Sequence, residues 1–432
     1  MIGANSLYLT VNFGGPNGSC RCRVFSARRM PCAKLDFGSR SGRQPRLTRR
    51  KGPMDCVRRM GCFNDRTAGD GPRMESESVP GGEDVWAFSA DAKYPDHLVV
   101  MVNGIVGSAE DWRYAAEQFV NKLPDKVIVH RSECNSSRLT FDGVDLMGER
   151  LAEEVLSVVR RRPGVRKISF LAHSLGGLIA RYAIGKLYVP VSNREAVVAA
   201  GNHSGEEYIS SSTQCLERHR EGHLAGLEPM NFITFATPHL GSRGHRQLPF
   251  LCGLLFLERR ASETAHWIVG RTGKHLFLTD RDDGRPPLLL RMVKDCDDIK
   301  FISALRSFKR RVVYANANFD HMVGWRTSSI RRQNELPKQH LLANDEKYPH
   351  IVHIEREISS NNDRASFLDN QATDMEEEMI RGLNQVPWER VDVSFLKSRQ
   401  RYIAHSTIQV KTYWINSDGK DVIFHMIDNF LL

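Results

Sequence analysis

The chain has 432 residues, 41% of them hydrophobic, 26% charged and 8% aromatic. That is enough to bury one large domain or two, and too apolar for wholesale disorder, a collagen-like fibre or a small disulfide scaffold. A net charge of +10 points towards nucleic acid, but the first 54 residues hold eleven Lys/Arg against one acid, Asp36, so of 61 basic and 51 acidic residues the remainder carries 50 of each. The body is neutral, and no nucleic-acid partner is expected.

Residues 1–90 lack hydrophobic periodicity and are expected to form a disordered basic extension. The Arg- and Ser-rich, acid-poor start resembles an organelle transit peptide, and Met54 or Met74 offers an alternative beginning to the chain. The expected location is intracellular: plastid if the extension is a transit peptide, cytoplasm otherwise. Five of the nine cysteines, Cys20, Cys22, Cys32, Cys56 and Cys62, lie in the first 62 residues. The others are widely spaced without a CxxC pair, which fits a reducing compartment and argues against a zinc site. No apolar run reaches the eighteen residues that a membrane-spanning helix needs.

From His97 onward, short β-branched runs alternate with helical patterns. Strands are predicted at Leu98–Val102, Lys126–His130, Lys167–Leu171, Asn231–Phe235, Val312–Ala315 and Arg390–Phe395. Helices are predicted over Ala109–Leu123 and Asp145–Arg162. In the second, Leu151, Val155, Val158 and Val159 form one apolar stripe, and Pro163-Gly164 closes it. Such alternation implies a mostly parallel sheet covered on both faces, an α/β fold occupying residues 91–432. Ser192–Gly226 reads as a polar surface insertion, and Arg356–Glu378 as a polar loop running into an acidic helix.

The strongest chemical signal is Lys167–His173 running through Ser174-Leu175-Gly176-Gly177 into the helical run Leu178–Leu187. A serine on a tight strand-to-helix turn, with small residues two before it (Ala172) and two after it (Gly176), has the form of a nucleophile elbow. The elbow would place the Ser174 hydroxyl beside a helix N-terminus and the amide of Leu175, where a developing oxyanion is stabilised. Upstream, Leu98–Val102 ends in Asn103-Gly104-Ile105, with asparagine where hydrolases commonly have histidine, so the amide of Ile105 is the second expected oxyanion donor. A serine nucleophile needs an acid and a base later in the chain. Asp320, just past the strand Val312–Ala315, is the expected acid. Among the histidines, His405 follows the last predicted strand and is the expected base. His425 lies in an apolar terminal segment and reads as packed, and His321 adjoins the acid and points elsewhere.

These motifs, with Phe235-Ala236-Thr237-Pro238-His239-Leu240-Gly241-Ser242, make residues 95–430 resemble the serine-esterase and lipase-like family of plants and fungi, a branch of the α/β-hydrolases. The resemblance implies the α/β-hydrolase fold and hydrolysis of carboxylic esters, most readily lipid acyl esters, through Ser174, Asp320 and His405, with no cofactor and no metal. His239 is expected to be a structural hydrogen-bonder. The apolar stretch Arg246–Leu290, within an insertion at about 243–295, is expected to act as a lid that favours acyl chains and transient contact with a lipid surface. Two other readings stay open: a small-acyl esterase or thioesterase, and a catalytically silent fold that binds lipid or protein.

Overall fold

In the computed structural model, the residues described are 73–79, 83–89, 95–190, 222–242, 270–281, 284–336, 345–356 and 375–432, the first two segments as backbone only. The strands are β1 (Arg73–Val79), β2 (Glu83–Ser89), β3 (His97–Val102), β4 (Val127–Arg131), β5 (Lys167–His173), β6 (Tyr188–Val189), β7 (His223–Leu224), β8 (Glu228–Phe235), β9 (Arg310–Asn316), β10 (Ile351–Arg356) and β11 (Glu389–Val393). Nine of them form one sheet in the order β1-β2-β4-β3-β5-β8-β9-β11-β10, and β6 pairs with β7 separately. The six strands from β4 to β11 run parallel. The hairpin β1–β2 and strand β10 add antiparallel edges.

The alternation of the central strands divides the core. Leu98, Val100 and Val102 of β3 enter one apolar cluster, and Val99 and Met101 enter the other. Over the first cluster lie the long helix Val144–Arg161 and the helix Gly176–Leu187, joined by Phe301–Arg306 and Met375–Leu383. The opposite face is covered by Arg113–Lys122, through Ala115, Ala116, Phe119 and Val120, and by Lys420–Asp428. Both faces of the parallel strands are therefore buried, which is why they read as continuous apolar runs. In the helix Val144–Arg161 the predicted stripe residues Leu151, Val155 and Val158 are buried as expected. No helix among the described residues is long and apolar enough to cross a membrane.

Two expectations need correction, and a third is reached only in part. The disordered extension was drawn to residue 90, yet Arg73–Val79 and Glu83–Ser89 pair with each other, and β2 adds to β4. The two strands carry little apolar signal, because an isolated hairpin is marginal and needs a sheet edge to hold it. The polar insertion at Ser192–Gly226 ends in structure, since His223–Leu224 pairs with Tyr188–Val189 and Leu224 is fully buried.

The third expectation, a lid in the insertion at about 243–295, falls mostly outside the described residues. Residues 243–269, with the Leu248–Leu257 run and Trp267, lie outside the described residues. The described remainder does not form a cap over the serine. Phe277 and Leu278 are buried, and Leu278 and Leu288–Leu290 belong to the core cluster beside the helices Val144–Arg161 and Gly176–Leu187. Thr272 Oγ1 accepts from the Gly143 amide at 3.0 Å and donates to the Thr140 carbonyl at 2.8 Å, while His275 Nδ1 accepts from the Val144 amide at 3.0 Å. These bonds anchor the segment at the start of a core helix. Its leucines read as a lid because burial in a core and cover over a site use the same residues.

Candidate active site

The site sits at the carboxyl ends of β3, β5 and β9, where parallel strands leave their connecting loops. Strand β5 delivers Ser174 into a turn that leads directly to the helix Gly176–Leu187. Ser174 has φ +53°, a left-handed conformation that costs a non-glycine residue about 1 kcal/mol or more. Surrounding contacts hold it there, including its amide, which donates to the Phe235 carbonyl at 2.9 Å. Glycine is required around it by space. A Cβ on Gly176 would lie 2.5 Å from the Val102 carbonyl oxygen and 2.6 Å from that of Asn103. One on Gly177 would collide with Thr237, and one on Gly104 would come within 2.9 Å of the Ser174 Cβ. The three sequence motifs thus meet at one point: Val-Asn-Gly, Ser-Leu-Gly-Gly and Ala-Thr-Pro-His.

A continuous chain of hydrogen bonds crosses 231 residues of sequence. Ser174 Oγ lies 3.0 Å from His405 Nε2, and His405 Nδ1 lies 3.0 Å from Asp320 Oδ2. Asp320 is almost entirely buried, and burial alone would raise its carboxyl. The charge and hydrogen bond of His405 outweigh that, with the Val323 amide (2.8 Å) and the Asn316 side chain (2.9 Å), and the carboxyl is held below the ordinary aspartate range. The Met322 amide donates to Oδ1 as well, at 2.9 Å. A carboxylate that accepts this many donors stays ionised and fixes the ring beside it. With Asp320 ionised, Nδ1 carries the proton and Nε2 is free to accept one from Ser174.

The structure also places residues that sequence reasoning passed over. His173, directly before the serine, is buried, and its Nε2 donates to the main-chain carbonyl of His405 at 2.7 Å. Burial, together with the neighbouring His405, holds His173 well below the ordinary histidine range, so it stays neutral and can keep donating. Adjacency to Ser174 was the available signal, but a strand-end histidine gives no hint of a contact 232 positions away. Asn316, four residues before Asp320, is a second case. Asn103, in the position where histidine is common, donates from Nδ2 to the carbonyls of Gly104 (3.1 Å) and Asn135 (3.0 Å) and ties the loop that carries Ile105. Among the described residues, neither the Ile105 amide nor the Leu175 amide donates to a protein acceptor.

The other histidines fall elsewhere. His425 is buried on the far face of the sheet, bonded to Tyr314 at 2.9 Å. His239 is fully buried beneath the elbow, with Nε2 2.9 Å from Thr234 Oγ1. His321 lines the cavity over Ser174, a position the sequence did not suggest. That cavity holds about 450 Å³, with Phe319, Met322, Tyr402 and Ile403 among its walls and Lys411 at its side. The Lys411 ammonium is paired with Asp111 at 3.0 Å. None of residues 270–281 or 284–295 lines it.

Residues 92–330, more than half of the chain, match the family described as "Putative serine esterase". The chain belongs to this family. Its sheet is mostly parallel with helices on both faces, the α/β architecture expected from the sequence. The family match includes Ser174 and Asp320 and ends before His405. Among relatives, the "Putative lipase ROG1" of Saccharomyces cerevisiae is 30% identical over 57% of this chain and 31% of its own length. The "Putative lipase C4A8.10" of Schizosaccharomyces pombe is 27% identical over 64% of this chain and 31% of its own. The chain therefore spans about 31% of the length of the relatives it matches. Carboxyl esterase 2 of the mycorrhizal fungus Tuber melanosporum superposes at a TM-score of 0.36 with 10% identity, over 83% of this chain and 90% of that one, a likeness too loose to carry an argument.

Proposed function

We propose that the protein hydrolyses carboxylic esters, lipid acyl esters above all, with Ser174 as nucleophile, His405 as base and Asp320 as the acid that orients it. The observation that carries this reading is the unbroken bonding from Ser174 Oγ through both nitrogens of His405 to Asp320, each step 3.0 Å. In the first half-reaction His405 Nε2 takes the hydroxyl proton while Ser174 Oγ attacks the ester carbonyl carbon. The carbonyl oxygen becomes an oxyanion, held by the amides of Ile105 and Leu175, with the positive end of the Gly176–Leu187 helix beside it. Collapse expels the alcohol, which takes its proton from His405, and leaves an acyl-serine. In the second half-reaction His405 deprotonates a water that attacks the acyl-serine, and the carboxylic acid leaves as Ser174 regains its proton. Asp320 remains ionised throughout and stabilises the imidazolium. His173 holds the backbone of His405 from behind, acting as a positioning residue.

The lipid preference draws on the cavity wall, where Phe319, Met322, Tyr402 and Ile403 offer an apolar path for an acyl chain. The test is hydrolysis of p-nitrophenyl esters of short and long acyl chains by the full chain, beside Ser174→Ala. The expected result is a long-chain preference and a loss on the order of 10⁴-fold or more in the variant, with the far-ultraviolet circular dichroism unchanged. Equal background rates in both folded proteins, with micelles supplied, would sink the enzymatic reading in favour of a silent binding fold.

A further inference from the structure

The segment around His405 carries an unusual surface. Trp414 is 90% exposed, Tyr402 64% and Ile415 58%, with Leu396, Ile403 and Tyr413 also exposed. Large apolar side chains in solvent are costly, and contiguous ones mark a surface that meets something. These are held out by ordered backbone. The turn Tyr413–Asn416 packs against both Arg399–Ile403 and the short helix Ala404–Thr407. Asn416 is buried; its Nδ2 donates to Thr407 Oγ1 at 3.0 Å and its Oδ1 accepts from the Thr412 amide at 3.1 Å. The Tyr413 ring stacks on Tyr114 at 5.0 Å, which leaves Trp414 and Ile415 as the outermost side chains.

Charge supplies the second observation. Between Leu396 and Lys420 the chain has five cations, Lys397, Arg399, Arg401, Lys411 and Lys420, and one acid, Asp418. That acid accepts from the Ser398 hydroxyl, and Lys411 is paired with Asp111 at 3.0 Å, which leaves four cations to the surface. Lys397, Arg399 and Lys420 are exposed, while Arg401 lies over the rings of Phe319 and Tyr402 at 5.5 and 4.8 Å. Exposed Trp, Tyr and Ile set among Lys and Arg match the boundary of an anionic bilayer, with aromatic rings at headgroup level and cations attracted to lipid phosphates and carboxylates. Tyr402 and Ile403 belong both to this surface and to the cavity wall, so a bilayer seated there would lie at the mouth that leads to Ser174.

We propose that the 396–415 surface, with Trp414 and Ile415 as its inserting residues, docks the protein on an anionic lipid membrane and presents the cavity to acyl chains in it. The proposal rests on the esterase reading for its purpose but not for its test. Intrinsic fluorescence of the full chain and of Trp414→Phe would be followed on brominated vesicles of phosphatidylcholine with and without phosphatidylserine. The basic N-terminal stretch is common to both proteins, so the difference between them reports Trp414 alone. Quenching on serine-containing vesicles that is lost in Trp414→Phe, and weaker by several-fold on phosphatidylcholine alone, is the expected result. The same quenching in both proteins, or none in either, would overturn the proposal and leave the patch to a protein partner; quenching indifferent to phosphatidylserine would overturn its charge selectivity.

A second arm compares a long-chain ester carried in those vesicles with a soluble short-chain ester. The double variant Trp414→Gln, Ile415→Ser should lose about tenfold on the vesicle substrate and stay within about twofold on the soluble one, since interfacial binding scales with the apolar area inserted. Equal losses on both substrates would count against docking. Trp414 quenching without Ser174-dependent hydrolysis of either ester would instead overturn the esterase reading and leave the membrane surface standing.

Discussion

Around Ser174 the neighbours are buried and the glycines leave no room for a methyl group, whereas ten residues beyond His405 the side chains of Trp414 and Ile415 stand in solvent. The elbow is fixed by sterics: a Cβ at Gly176 would meet two carbonyl oxygens at 2.5 and 2.6 Å, and one at Gly177 would meet Thr237. The 396–415 surface is fixed by a few hydrogen bonds beneath it and is otherwise open to change. One region has no room for an added methyl group, and the other offers area and charge. The difference separates chemistry from access, and it implies that substitutions in the two regions should fail in different ways.

The largest effect after loss of the nucleophile itself is expected from Asp320→Asn. The amide side chain would still fill the site, but it would present a donor towards His405 Nδ1 or leave that nitrogen's proton without a charge to face, and kcat should fall by roughly 10³- to 10⁴-fold with little change in KM. A smaller loss, under about tenfold, would detach Asp320 from the chemistry and make the hydrogen-bond chain a structural feature.

Gly176→Ala comes next. A methyl group 2.5 Å from backbone oxygen has no flexible partner to displace, so the elbow should shift and stability should drop by about 3 kcal/mol, read as a lower urea midpoint with esterase activity lost in step. Trp414→Gln is its counterpart, expected within about 0.5 kcal/mol of the parent because the side chain is almost wholly exposed, with the Tyr413 ring edge-on beside it. If both variants unfolded alike, the contrast between the two regions would collapse.

The smallest effect lies at the opposite end of the sheet, at His97. Burial, then the charge of Lys167, pushes this histidine down to about 4, and its Nε2 lies 2.7 Å from Ser169 Oγ. A folded-state value below the unfolded one means that the unfolded chain binds the proton first. The stabilisation is complete above about pH 6.5 and is lost as pH falls from there towards about 4. His97→Gln should flatten that part of the urea-midpoint profile and leave ester hydrolysis at pH 8 unaltered. Retention of the full acid slope would assign it to the other buried histidines, His173, His239, His275 and His425, whose burial has the same sign.

Much of the site was legible because its requirements are local. The pattern Ala172-His173-Ser174-Leu175-Gly176-Gly177 between an apolar strand and an amphipathic helix carries its own geometry, and the six central strands announce themselves by β-branched runs of fitting length. The edges were less legible. Strands β1, β2 and β10 lie at the sheet's edges and depend on a neighbour's open edge, so their residues carry little of the continuous apolar pattern of the central strands. The hydrophobic run Leu276-Phe277-Leu278 showed that apolar residues were to be covered and could not say by what; the tertiary structure set it into the core, anchored through Thr272 and His275.

The amino-acid sequence by itself determined the α/β alternation, the elbow and the order serine, aspartate, histidine, because periodicity and turn sterics act within a few residues. The sequence favoured His405 among the downstream histidines by its place after the last strand, and the contact with Ser174 itself comes from the tertiary structure. His321, His405 and His425 are all downstream of the serine, and closing the sheet brings one imidazole to 3.0 Å from Ser174 Oγ while it buries another on the far face. The same holds for His173 bonding a carbonyl 232 residues away and for the exposure of Trp414. Those are facts about distance in space, and a pattern along a chain encodes distance only as far as one helix or strand extends.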